Sequence, residues 1–220
     1  MPVARVMGDM VLLPTGDVLI VKGAAARTVG WELGRTPVMY TPNAMIGERF
    51  RAITSMVIPR RYHLSATLDT CGHVLVGGSN PHVGYVFGNN ITYSTELSLE
   101  AFLPLYMDAK LDRVWPRVVV APAKVVYGET TAVRFALLGV VRSGEVVRVG
   151  EVRVLAVAPM FAKLSFGMNQ RVVEMAVGMV VEMDVGVFEV EVVTPPTAGV
   201  APPGYYLWFV VHDGVPSSAA

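Results

Sequence analysis

MVLLPTGDVLIVKGA, residues 10–24, lines up with ATLDTCGHVLVGGSN, residues 66–80, at an offset of 56 residues. Gly16 falls on Gly72, Val18 on Val74 and Leu19 on Leu75. In each copy an apolar run leads into a turn around glycine, a second apolar run follows, and small residues close it. Glycine supplies the positive φ that a tight reversal between strands demands. Each copy therefore reads as strand, turn, strand.

A period of roughly fifty residues is that of kelch-type propeller blades. Blades are held by closing into a ring, and a lone pair leaves sheet edge and apolar face open to water. The expectation is a partial propeller whose exposed blade edges drive association, or whose remaining blades come from elsewhere.

Beyond TELSLEAFLPLYMD (95–108) the pattern changes. Strand-like runs follow at residues 117–122, 131–138, 146–159, 170–183, 187–193 and 205–211, rich in Val and bounded by Gly, Pro and Asp. This spacing suits a β-sandwich of immunoglobulin type, with Phe135, Phe188 and Trp208 in its core. Almost nothing repeats at the helical period, so the chain is read as all-β: two blades over residues 1–98, then the sandwich over 99–220.

Composition narrows the function. Of the 220 residues 53% are hydrophobic and 16% charged, and 18 basic side chains offset 18 acidic ones. No basic field exists to hold nucleic acid or an anionic membrane surface. The apolar stretch from Val192 to Val211 carries Pro195, Pro196, Pro202 and Pro203, which forbid a continuous spanning helix. The N-terminus meets Asp9 and Pro14 before any long hydrophobic run, so no signal peptide is read. The single cysteine, Cys71, allows no internal disulfide and sits in a turn, where it reads as a bystander.

Several motifs then occur in order. RRYHLSATL (60–68), VLVGGSNPH (74–82), TELSLEAFLP (95–104), FGMNQR (166–171) and APPGYYLWFVVHDGVPS (201–217) resemble the C-terminal part of glyoxal oxidase, of the galactose oxidase class of copper radical oxidases. The resemblance runs over essentially the entire chain. It implies the last two blades of a seven-bladed propeller followed by an immunoglobulin-like early-set domain. It also implies an ancestral oxidation of small aldehydes to acids, with oxygen reduced to hydrogen peroxide, and a secreted protein.

By the same resemblance Tyr62 matches the axial tyrosine of the family's copper site, which acts as the base, and His63 matches its first histidine ligand. Imidazole and phenolate suit tetragonal Cu(II), and a phenolate released from the metal can accept a proton. The second histidine belongs to a loop of the C-terminal domain. Counting back from MNQR (168–171) puts Leu164 in its place, and leucine cannot ligate copper. The redox tyrosine and its cysteine partner fall in the portion preceding this chain. The expectation is a truncated, inactive relative of a copper radical oxidase; the alternative is a non-catalytic binding or structural β module.

Three histidines are left. His82, in SNPH, reads as hydrogen-bonded within a turn that Asn80 and Pro81 form. His73 and His212 stand in turn-like surroundings and are read as facing solvent. Gly77 and Gly78 have no helix after them, so they close a strand and do not cradle a phosphate.

Overall fold

The computed structural model describes residues 5, 8–21, 36–58, 60, 63–88, 90–91, 93–112, 114–137 and 151–220. All regular structure among them is β, apart from two 3₁₀ turns at Leu105–Met107 and Ala109–Leu111.

The repeat folds as two antiparallel sheets. The first is a four-stranded meander of β1 (Asp9–Leu12), β2 (Val18–Val21), β3 (Val38–Tyr40) and β4 (Phe50–Ala52). The second has β5 (Ser65–Leu68), β6 (Val74–Ser79) and β7 (Glu96–Phe102). The two turns are built alike. Leu13 N–H donates to the Asp17 carbonyl at 2.9 Å and Gly16 N–H to the Leu13 carbonyl at 3.0 Å. In the second copy Asp69 N–H donates to the His73 carbonyl at 2.9 Å and Gly72 N–H to the Asp69 carbonyl at 3.2 Å. Gly16 and Gly72 take φ of 87° and 89°, a region that costs an L side chain ~1–2 kcal/mol. The blades share one core, in which Val11, Leu13, Leu19 and Val21 meet Leu64, Ala66, Val74 and Val76.

The sandwich is made by β8 (Arg117–Val120), β9 (Thr130–Ala136), β10 (Val152–Ala158), β13 (Arg171–Asp184), β14 (Val187–Val193), β15 (Leu207–His212) and β16 (Val215–Pro216), in the order β16-β15-β10-β13-β14-β9-β8. Strand β13 is its corner. Arg171–Met175 pair with β10, and from Ala176 onward the strand pairs with β14 through two register shifts. A β-bulge bends and twists its strand, and that is how one continuous sheet curls to face itself. Between the halves Phe135 and Phe188 are fully buried with ring centroids 5.6 Å apart, and Trp208 packs partly buried at the margin. Along β14, buried Phe188, Val190 and Val192 alternate with Glu189, Glu191 and Val193, the period of two that the sequence carries.

His212 departs from the sequence reading. It closes β15 buried, with Nε2 3.7 Å from the Glu151 carboxylate. Pairing of His212 with Val152 and Val215 places it inside the sheet, where the VHDG sequence suggests a turn.

Candidate functional site

A two-stranded hairpin leaves the sandwich between β10 and β13: β11 (Phe161–Lys163) and β12 (Phe166–Met168). Its base lies with Leu12 and Leu68, because Pro159, Met160, Gln170 and Arg171 line a small gap with those residues. Farther along, the Gly167 N–H donates to Asp9 Oδ1 at 3.3 Å, at the opposite end of β1. The hairpin therefore runs from the ends of β1 and β5 toward their beginnings. Its tip faces the end of the blade where His63 precedes β5.

The tip is Leu164 and Ser165, with φ of 51° and 66°. Two positive φ values in a two-residue reversal describe a type I′ turn, which favours Asn and Gly. Leucine there carries backbone strain and is 83% exposed. It offers no donor atom.

His63 stands exposed with φ of 56°. A side chain on Gly78, which has φ of 74° in β6, would lie 3.4 Å from the His63 carbonyl oxygen. The double glycine thus serves a close backbone approach at a register shift between Gly77 and Ser79. Arg60 holds the Gly78 carbonyl of the same strand. Its side chain is buried, and it donates to the Gly78 carbonyl at 2.9 Å, the Ser98 carbonyl at 3.0 Å and Ser98 Oγ at 3.1 Å, with Glu100 at 3.7 Å. A buried guanidinium held by several acceptors is a rigid post. The sequence reading passed over Arg60, although its place before the Tyr-His pair was a signal. Tyr62 lies outside the described residues.

His82 is held within its turn, as expected: its N–H donates to Asn80 Oδ1 at 3.2 Å, and Nε2 sits 2.9 Å from the Tyr93 carbonyl oxygen. His73 does not simply face solvent. Its Nδ1 lies 2.8 Å from Asp69 Oδ2, while Asp69 Oδ1 accepts the N–H groups of Cys71 and His73, each at 2.8 Å. Burial raises the Asp69 pKa, but the bonds from His73 and Cys71 outweigh it and hold the carboxyl below its ordinary value. Under this turn Tyr106 donates from its hydroxyl to the Gly72 carbonyl at 2.6 Å. Burial first, then Asp69 and Asp17, push the Tyr106 phenol far above its usual pKa.

Among the described residues, His63 precedes β5 as an exposed imidazole, and the hairpin tip carries the hydrocarbon side chain of Leu164.

Residues 1–106 match the family described as glyoxal oxidase N-terminus, and residues 115–220 the galactose oxidase-like early set domain. The chain is similar to aldehyde oxidase GLOX1 of Arabidopsis thaliana, 39% identical over 99% of this chain and 35% of that protein. It is likewise similar to aldehyde oxidase GLOX of Vitis pseudoreticulata, 42% identical over 100% of this chain and 41% of that one. It thus spans about two fifths of the length of these relatives. A fungal alcohol oxidase of the AA5 family, solved in complex with copper, superposes over 100% of this chain and 42% of its own with a TM-score of 0.76, at 20% identity. With both halves matched in order and the blade-and-sandwich fold in place, the chain belongs to the glyoxal oxidase and galactose oxidase-like family.

Proposed function

We propose that this chain is a non-catalytic relative of the copper-dependent aldehyde oxidases: two blades and an early-set sandwich that keep the scaffold of the copper centre with one histidine ligand replaced. Leu164 carries the reading. By family resemblance its position belongs to the second histidine, and here it is an exposed leucine at the hairpin tip. Tight copper binding needs a complete, preorganised set of donors. With Leu164 in the second histidine's place the donor set falls short by one ligand, so neither substrate activation nor proton abstraction by Tyr62 is expected. The ancestral reaction is aldehyde oxidation to the acid with peroxide release.

Copper content after loading and desalting tests the proposal, together with peroxide release from glyoxal or methylglyoxal. The expected result is no copper that depends on His63 and no peroxide. One tightly held copper per chain, lost in His63→Ala, would overturn it.

The second reading, a binding module, draws support from the outermost strands of the described blades. All three residues of β4 are exposed, as are Leu97 and Leu99 of β7. Unpaired strand edges invite pairing with another sheet, and sedimentation over a concentration series checks for self-association. No described helix is long and apolar enough to cross a membrane. An extracellular setting comes with the family, and assaying medium against cell fractions tests it.

A further inference from the structure

We propose that the turn Asp69–His73 binds one borderline-soft divalent cation, with Zn²⁺ the best match, at a site separate from the family's copper position. The ligating atoms of Asp69, Cys71 and His73 lie within 4.8 Å of one another. Tetrahedral Zn²⁺, with sulfur at about 2.3 Å and nitrogen or oxygen at about 2.0–2.1 Å, holds its ligand atoms roughly 3.3–3.6 Å apart. Ligand atoms within 4.8 Å of one another need to close by roughly an ångström to meet that geometry. Thiolate, imidazole and carboxylate are zinc's own donor types, and three of them leave a fourth position for water. On binding, Cys71 releases its thiol proton to solvent and His73 binds as the neutral ring.

The bland account is that Asp69 only closes its turn. The first blade argues against it. There the turn makes the same two backbone hydrogen bonds with Leu13, Thr15 and Asp17 in the equivalent places. There a bond from the Thr15 hydroxyl to Asp17 Oδ2 at 2.8 Å supports the turn, so reversal of the chain does not require the Asp69, Cys71 and His73 set. The platform is also firm, because the Tyr106 hydroxyl holds the Gly72 carbonyl from beneath. Asp69 Oδ2 and His73 Nδ1 already stand 2.8 Å apart, so metal binding exchanges their hydrogen bond for two bonds to the ion. Cys71 is exposed and its thiol is free. His63 lies at the other end of β5, whose four residues span roughly 13 Å, so the two positions share no ligand.

Calorimetric titration of the full chain with Zn²⁺ tests this, alongside absorption spectra with Co²⁺ as the probe metal. The expected result is one ion per chain in the micromolar range or tighter, with a sulfur-to-cobalt charge-transfer band. Cys71→Ser removes the band, and it and His73→Ala each weaken Zn²⁺ binding by more than about tenfold. His63→Ala leaves binding unchanged, which separates this site from any copper remnant. The combined variant Asp69→Leu, Cys71→Thr, His73→Asp copies the first blade's turn, so it folds by circular dichroism and binds no ion. The proposal is overturned if the native chain binds no Zn²⁺, if the combined variant binds as the native chain does, or if His63→Ala abolishes binding while His73→Ala does not.

Discussion

Gln170 grips Leu12: its Oε1 accepts the Leu12 N–H at 2.9 Å, and its Nε2 donates to the neighbouring Met10 carbonyl at 2.6 Å. One side-chain amide thereby satisfies both backbone directions along β1, in the manner of an added strand residue. Gln170→Ala should lower stability by about 1–2 kcal/mol through the two lost bonds, read as a shifted urea midpoint. A midpoint matching the parent chain would mean that the hairpin docks by apolar packing alone.

The hairpin tip should improve on replacement. Leu164→Asn relieves a left-handed leucine and exposes less hydrocarbon, and should raise stability by about 0.5–1 kcal/mol. Thermal melts check it, and a lower melting temperature would show that Leu164 is held by a contact that favours leucine.

Gly72→Ala meets a backbone obstacle. The residue sits at φ 89°, while the new Cβ would lie at an ordinary contact distance of 3.5 Å from the Tyr106 ring. The expected loss is about 1–2 kcal/mol, measured by chemical denaturation. A neutral result would mean that the turn relaxes to another conformation.

Tyr106 gives a pH signature. Its phenol titrates above its unfolded value of about 10 when buried, so between those two pKa values the folded state holds the proton that the unfolded state loses. Its contribution is complete below pH ~10 and falls as pH rises above that, by about 1.4 kcal/mol per pH unit. Tyr106→Phe should flatten this alkaline slope by one proton, besides losing about 1 kcal/mol at neutral pH with the bond to Gly72. Equal slopes in both proteins would place Tyr106 in contact with water.

The fold was largely legible because its signals are local. Gly16 and Gly72 announce two equivalent turns, and the apolar alternation around Phe135 and Phe188 announces a sandwich. The run at 170–183 corresponds to the single long β13, but nothing in its sequence tells that pairing passes from one half-sheet to the other at Met175 and Ala176. The hairpin tip was hidden because Leu164-Ser165 lacks the Asn-Gly signal of a type I′ turn. The buried post at Arg60 and the burial of His212 depend on neighbours that only the folded sheets bring together, while the contact of His73 with Asp69 follows from the closing of one turn.

The seam between blades and sandwich is written largely in main-chain atoms on the blade side. Gln170 meets the amide of Leu12 and the carbonyl of Met10, Arg153 donates to the Thr15 carbonyl at 3.0 Å, and the Ala219 N–H donates to the Thr70 carbonyl at 2.7 Å. Side chains at 10, 12, 15 and 70 can therefore change while the partners of Gln170, Arg153 and Ala219 stay put, proline at 12 excepted. Divergence at the blade surface is cheap for this architecture, whereas one inserted residue between Met10 and Leu12 would break the paired grip of Gln170.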